Sequence, residues 1–188
     1  MAYHPFRKIQ PLRLQAASSP LLSKLNPFQK VEFFQLCHER RFQEGEFVYY
    51  RNDPGSGIYF IEEGSVALTL PPDALKSDAE SGLRVLELEA PEHFGELSAE
   101  SDRRRLTSAR ALEPCRLFGF FQSDYVTLKQ REPGIALAVM EALNEWGLRT
   151  LDRLTDHLEQ SVGLDGACKI RYSDRTEQET DPVEISEE

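Results

Sequence analysis

The sequence predicts an α+β domain that is mostly β: one helix, a compact β-roll or barrel, and two further helices. Two observations predict this order. Helical spacing of apolar residues near the N-terminus gives way after Arg41 to short β-rich runs separated by glycine turns. The helical spacing returns near Ser123 and continues to about Gln160. The length of 188 residues suits one core with appendages better than two independent domains.

The N-terminal region divides into an arm and a helix. Residues 1–25 contain three prolines and the small-residue run AASSP, so we expect a mostly irregular arm. The first helix is predicted from Pro27 to Glu39. Asn26 suits the N-cap position and Pro27 the first helical position, and apolar residues then recur at helical spacing.

The β-rich region carries glycine turns at roughly 8–12-residue intervals, which is typical of an all-β sandwich or barrel. Six strands are expected, at Phe47–Tyr50, Ile58–Ile61, Val66–Leu70, Val85–Leu88, Arg105–Leu112 and Leu117–Phe120. Between the third and the fourth, the polar segment PPDALKSDAESGL is predicted to form a protruding hairpin loop. Phe118, Phe120 and Phe121 are expected to seal the roll against the helices.

The C-terminal region predicts two helices. Ser123 is a candidate N-cap for a short helix that Pro133 interrupts, and a longer helix runs from Gly134 to about Gln160. Leucine and methionine side chains of its first half are expected to pack on the roll: Leu137, Met140 and Leu143. Those of its second half are nearly at heptad spacing and favour a dimer contact: Leu148, Leu151, Leu154 and Leu158.

Residues 161–188 are expected to form an acidic, disordered tail. From residue 173 onward they include seven carboxylates against one arginine and almost no apolar side chains. The predicted organisation is therefore an arm at 1–25, a domain at 26–160 and a tail at 161–188.

Composition argues against several classes of protein. A formal net charge of -10 disfavours a nucleic-acid binder, because clustered cations supply most non-specific affinity for phosphate backbones. The longest apolar runs are too short for a membrane segment, and no signal-peptide pattern is present, so we expect a cytoplasmic protein. Three distant cysteines and four scattered histidines indicate neither a disulfide framework nor a metal site. No nucleophile and base occur in a catalytic motif, so no enzyme is expected.

The segment HFGELSAESDRRR carries the functional signal. Three adjacent cations, Arg103–Arg105, repel one another, and an anion nearby would relieve them. If the segment crosses between two strands, Gly95 lets a ligand approach the backbone, and the amides of Glu96, Leu97 and Ser98 converge on a phosphate. A guanidinium of the following strand would meet the phosphate from the other side. Glu96 would be repelled by the phosphate but could accept a hydrogen bond from a sugar hydroxyl, which suits a ribose phosphate.

A purely structural interpretation is also open for this segment. The three arginines would then form a solvated hairpin tip paired with Glu100 and Asp102, and Gly95 would only serve a turn.

From about Phe28 to Leu158 the sequence resembles the cyclic nucleotide-binding domain of bacterial catabolite activators, regulatory subunits of cyclic-AMP-dependent protein kinase and cyclic nucleotide-gated channels. The first part of the resemblance is the pattern F..GE.V....D.G..IYFI..G.V.L, carried by Phe42, Gly45, Glu46, Val48, Asp53, Gly55, Ile58–Ile61, Gly64, Val66 and Leu68. The second is the phosphate cassette FGEL, followed nine residues after its Glu by Arg105 and then by Ser108 and Ala111.

The resemblance implies an eight-stranded β-roll (a double-stranded, jelly-roll-like β-helix) with one N-terminal and two C-terminal helices. It also implies that Glu96 takes the ribose 2′-hydroxyl and Arg105 an exocyclic phosphate oxygen. The expected ligand-binding residues are Phe94, Gly95, Glu96, Leu97, Ser98, Arg105, Leu106 and Thr107. The expected ligand is a cyclic purine nucleotide, cyclic AMP ahead of cyclic GMP, with no other cofactor. Trp146 would either stack on the purine or anchor the long helix.

The sequence departs from the family pattern beside the cassette. Arg104 replaces a usual proline, Leu106 replaces a small residue, and Glu100 adds a carboxylate that would weaken anion binding by roughly 1 kcal/mol. Leu106 either crowds the phosphate or faces the core. A ligand-free copy of the fold that acts as a protein interaction module is therefore an alternative, and a transcription regulator would need a DNA-binding module after the long helix. The expected partners are the nucleotide, a second copy through the long helix and an effector protein.

Overall fold

The computed structural model describes residues 14–55, 57–71, 83–97 and 103–172. The chain divides into two compact units, Met1–Leu143 and Asn144–Glu188. The predicted acidic stretch from residue 173 onward, the loop at 72–82, and Ser98 and Glu100 lie outside the described residues.

The first unit is the predicted β-roll. Its described residues form eight strands: β1 His38–Phe42, β2 Phe47–Tyr49, β3 Gly57–Glu63, β4 Ser65–Leu70, β5 Leu83–Glu89, β6 His93–Glu96, β7 Ser108–Ala111 and β8 Cys115–Phe121. They make two four-stranded antiparallel sheets, in the orders β1-β8-β3-β6 and β2-β7-β4-β5. The predicted hairpin is confirmed, since β4 pairs with β5 on either side of the polar loop.

Two strands and two boundaries differ from the prediction. The first helix, α1 Pro27–Phe34, ends five residues before the expected Glu39, because His38–Phe42 pairs instead with β8. Segment His93–Glu96, expected as a crossing between strands, is itself a strand that pairs with β3. Arg105 was expected inside a strand, but β7 begins only at Ser108. The start of α1 is as predicted, since the side chain of Asn26 accepts a hydrogen bond from the Gln29 N–H at 3.0 Å.

The core consists of two clusters of buried side chains. The inner cluster fills the roll between the two sheets, and the outer cluster lies between the β1-containing sheet and the helices. Phe118 and Phe120 belong to the outer cluster with Phe33 and Phe60, as expected for residues that seal the roll. The ring centroids of Phe33 and Phe120 lie 4.6 Å apart.

The expectation of a mostly irregular arm is wrong for its described part. Two 3₁₀ turns, Ala16–Ser18 and Pro20–Leu22, bring small and apolar side chains into the outer cluster. The Ala16 N–H donates to Oε2 of Glu62, a buried carboxylate of β3, at 2.9 Å. This bond ties the segment to the roll, and Nη2 of Arg116, 3.4 Å from Oε1 of the same carboxylate, also compensates its buried charge.

Two helices follow the roll, α2 Gln122–Arg131 and α3 Pro133–Tyr172. In α2 the N-cap position is taken by Phe121, two residues before the expected Ser123, and the Asp124 carboxylate accepts a hydrogen bond from the Phe121 N–H at 2.8 Å. The first turns of α3 bury Ile135, Ala136, Val139 and Ala142. Leu137 is 61% exposed, so its expected packing on the roll is wrong, and Met140 is also exposed. The two alanines on this buried face allow the helix to approach the roll closely, and Ile135 and Val139 fill the space beside them.

In the second unit, α3 continues past its expected end near Gln160. Gly163, at φ 76°, breaks the helix, which then resumes to Tyr172, so residues 161–172 are not part of a disordered tail. Nη1 of Arg171 lies 2.7 Å from Oδ1 of Asp152, which ties the two helical segments together within this unit. Leu148, Leu151 and Leu154 are exposed. Among the described helices, none combines the length and apolar character needed to cross a bilayer.

Candidate functional site

Arg105 is a buried cation with incomplete hydrogen bonding. The residue is only 5% exposed. Its Nη2 donates to the Gly57 carbonyl oxygen at 2.8 Å, while Nε and Nη1 are buried and have no hydrogen-bond partner among the described residues. A buried guanidinium with two unpaired donors is unfavourable unless an anion or another acceptor meets it.

The turn between β2 and β3 holds the Arg105 backbone. The Arg105 N–H donates to the Asp53 carbonyl at 2.9 Å, and the Asn52 N–H donates to the Arg105 carbonyl at 2.9 Å. Two residues further along the turn, the Gly55 N–H donates to the Arg103 carbonyl at 2.8 Å. These bonds form a short antiparallel ladder, so Arg105 is fixed in an extended segment before β7 begins.

Two polar side chains stabilise that turn. The Asp53 carboxylate accepts a hydrogen bond from the Tyr50 N–H at 2.8 Å, as aspartate commonly does at the start of a turn. The Ser108 hydroxyl accepts one from the Arg51 N–H at 2.9 Å. Both side chains belong to the sequence pattern of the family resemblance, and their contacts assign them a structural role beside the arginine.

An aromatic wall lies under the Arg105 guanidinium. Its Cζ is 4.4 Å from the ring centroid of Tyr49, which is a cation–π distance. Burial raises the pKa of the Tyr49 hydroxyl, and the charge of Arg105 opposes that shift. The rings of Tyr59 and Phe94 stack beside it, with centroids 5.4 Å apart. Sequence reasoning missed both tyrosines, because their spacing marks them only as strand residues.

Gly95 allows the close approach of the guanidinium. Its φ is +89°, in the region that favours glycine. A Cβ at this position would lie 2.6 Å from the Gly57 carbonyl oxygen and 2.9 Å from Nη1 of Arg105. Gly95 pairs with Ile58 in the sheet, so the backbone cannot easily shift away. The unpaired Nη1 therefore lies directly beside the backbone of the cassette.

Glu96 is already engaged by one of the three arginines. Nε of Arg103 donates to Oε2 of Glu96 at 2.7 Å. Arg104 is exposed and Arg105 is buried, so the three adjacent cations occupy three different environments. The interpretation of the arginines as a wholly solvated hairpin tip is therefore wrong for Arg105.

The remaining predicted site residues have different surroundings. Phe94 is buried in the inner cluster, so it supports the site from within the core. Leu97 is partly buried against the outer cluster. Leu106 is 71% exposed, so it neither faces the core nor fills the space beside Arg105. Thr107 is half-buried and directly precedes β7.

The arrangement suits binding of a small anion that also carries a hydroxyl group. Two guanidinium donors are available at Arg105, next to a glycine that exposes the backbone. A carboxylate one residue further along offers only acceptors, so it suits a ligand hydroxyl and repels a phosphate.

Comparison with known proteins finds a match to one protein family. Residues 39–132, which include Gly95, Glu96 and Arg105, match the family model of the cyclic nucleotide-binding domain. The chain belongs to this family. The predicted β-roll with its flanking helices is the fold of this family.

Three relatives illustrate the similarity. The cyclic AMP receptor protein of Thermus thermophilus is 30% identical over 119 residues, which are 63% of this chain and 52% of that protein. The cAMP-dependent protein kinase type II regulatory subunit of Drosophila melanogaster is 29% identical over 106 residues, 56% of this chain and 26% of that protein. The crystal structure of the Thermus thermophilus catabolite activator protein superposes with a TM-score of 0.59 at 27% identity, covering 74% of this chain and 63% of that one. The chain thus spans about half or less of the two relatives named first.

Proposed function

We propose that this chain is a regulatory sensor domain that binds a cyclic purine nucleotide, cyclic AMP in preference to cyclic GMP. The observation that carries the proposal is Arg105, a buried guanidinium with Nε and Nη1 unpaired among the described residues. An exocyclic oxygen of the cyclic phosphate would accept from these donors in a charge-assisted bond. The names of two relatives, a cyclic AMP receptor protein and a cAMP-dependent kinase regulatory subunit, favour cyclic AMP.

The site's other contacts fit the rest of such a ligand. Amides that follow Gly95 would complete the phosphate site, and Glu96 would accept a hydrogen bond from the ribose 2′-hydroxyl. The described residues of the site offer binding groups. The proposed role is recognition in the cytoplasm, without chemistry and without a further cofactor.

The signal would pass through packing between the cassette and the first turns of α3. Leu97 follows Glu96 directly and lies against the outer cluster, which also contains Ile135, Ala136 and Val139. A shift at the cassette on ligand binding would change this contact and favour one arrangement of α3 over another. The exposed leucines Leu148, Leu151 and Leu154 of the distal helix would then meet a second copy or an effector protein.

Among the described residues nothing supports the alternative of a ligand-free interaction module, and Glu100, whose internal salt bridge would favour it, lies outside them. This alternative requires a site plugged by a side chain or an arginine satisfied by the protein itself. Leu106 is largely exposed, and two nitrogens of Arg105 have no partner among the described residues. Both facts favour the sensor.

Isothermal titration calorimetry with cyclic AMP and cyclic GMP tests the proposal. Replacing Arg105→Ala removes a charge-assisted phosphate contact and is expected to weaken binding of either nucleotide by about 1.5–3 kcal/mol, roughly 10- to 150-fold. Arg104→Ala is the matched control, since it removes the same charge from the neighbouring, exposed position. If the wild-type chain, folded by circular dichroism, binds neither nucleotide, the proposal is wrong.

A further inference from the structure

The contact between Arg103 and Glu96 is not needed to hold Arg105 in place. It joins Nε of Arg103 to Oε2 of Glu96 at 2.7 Å, with the two side chains 54% and 34% exposed. The Arg105 guanidinium is held instead by Gly57 and Tyr49. The pair of Arg103 and Glu96 is therefore a separate contact beside the proposed nucleotide site.

The backbone hydrogen bonds between residues 53–55 and 103–105 place the side chains of Arg103 and Arg105 on the side that faces β6. The Gly55 N–H donates to the Arg103 carbonyl and the Arg105 N–H to the Asp53 carbonyl, with Arg104 between them. Alternate residues of an extended segment project to the same side. Side chains 103 and 105 accordingly both reach β6, the first at Glu96 and the second beside Gly95.

The ion pair with Arg103 leaves Glu96 suited to accept a hydrogen bond from an uncharged hydroxyl group. A carboxylate accepts hydrogen bonds only, and an unpaired one would repel an anion bound at the adjacent Arg105. Arg103 offsets this charge and occupies Oε2. The hydrogen bond from Arg103 engages Oε2 of Glu96, and Oε1 is the atom that would accept from a hydroxyl of the ligand.

We propose that Arg103 is a positioning residue that gives the site its preference for a ligand with a hydroxyl next to the cyclic phosphate. It acts through Glu96: the ion pair limits rotation of the carboxylate and keeps Oε1 aimed at the hydroxyl. This inference rests on the proposed function, because the hydroxyl in question is the ribose 2′-hydroxyl of a cyclic nucleotide.

The test compares cyclic AMP with 2′-deoxy cyclic AMP by isothermal titration calorimetry. The wild type is expected to bind cyclic AMP more tightly than the deoxy analogue. Arg103→Gln is expected to lower this preference, the ratio of the two Kd values, about three- to fivefold, the effect of losing a partly exposed ion pair. Arg104→Gln removes the same charge one residue away and is expected to leave the ratio unchanged.

Equal weakening of both nucleotides in Arg103→Gln would overturn the inference, because Arg103 would then act only through its charge. A second variant separates the two possibilities further. In a Glu96→Gln background, adding Arg103→Gln is expected to leave the ratio unchanged, and a further three- to fivefold drop there would also contradict the proposed coupling.

The titrations distinguish an absence of nucleotide binding from an absence of the role of Arg103. If the folded wild type binds neither cyclic AMP nor its deoxy analogue, the proposed function itself is wrong. If the wild type binds both and Arg103→Gln leaves their ratio unchanged, only the role of Arg103 is wrong. Thermal melting of each variant establishes that it is folded, as expected for substitution of a half-exposed side chain.

Discussion

Replacing Gly95→Ala perturbs the fold and the site at the same point. The added Cβ would lie 2.6 Å from the Gly57 carbonyl oxygen, a backbone atom held in the sheet, and 2.9 Å from Nη1 of Arg105. The φ of +89° adds strain of about 1–2 kcal/mol for a residue with a side chain. Together with about 1–2 kcal/mol of overpacking, the expected loss of stability is about 3 kcal/mol. For a chain of this size that corresponds to a decrease in Tm of roughly 6–12 °C.

The assay for this variant combines thermal unfolding, followed by circular dichroism, with titration of cyclic AMP. Gly147→Ala is the matched control, because Gly147 lies in α3 and a Cβ there would meet no atom within 4 Å. The control is expected to gain about 0.5–1 kcal/mol in stability from the better helix propensity of alanine. A Gly95→Ala protein with wild-type Tm and wild-type affinity would refute the reasoning about this close approach.

Two further predictions concern the surroundings of the site. Tyr49→Leu removes the aromatic face under Arg105 and is expected to weaken cyclic AMP binding about three- to tenfold in calorimetry. Tyr49→Phe keeps the face, and its affinity should stay within about threefold of wild type. Equal losses of affinity in both variants would exclude the cation–π role. Burial lowers the pKa of His93, so unfolding takes up a proton, and the free energy of unfolding is expected to fall as the pH drops below about 6.5. Urea titrations across this range should show a weaker pH dependence in His93→Gln, and an unchanged slope would contradict the assignment.

The sequence-based predictions succeeded where local chemistry decides the structure. Asn26 and Pro27 predicted the start of α1, and glycine turns predicted most strands of the roll. They failed where tertiary contacts decide. Strand β1, HERRF, is charged and mostly exposed, so it has no alternating apolar pattern, and only its pairing with β8 makes it a strand. The buried Ala16 and Ala136 likewise depend on close approach to the roll, which composition does not reveal.

The candidate site also combines features that local sequence predicts with features that only tertiary contacts decide. Gly95 and Glu96 could be selected from residue types, and Arg105 from its place in the pattern of the family that the sequence resembles. The different environments of Arg103, Arg104 and Arg105 could not, because three identical side chains in a row carry no sequence signal of their direction. The ladder with Asp53 and Gly55 sets those directions, and it joins segments about 50 residues apart in the chain.

The most direct test of the central claim is a crystal structure of the chain with cyclic AMP. The account predicts an exocyclic phosphate oxygen at about 2.7–3.0 Å from Nη1 or Nε of Arg105, with the ribose 2′-hydroxyl donating to Glu96. A nucleotide bound with its phosphate away from Arg105, or an unoccupied site at saturating nucleotide, would contradict it.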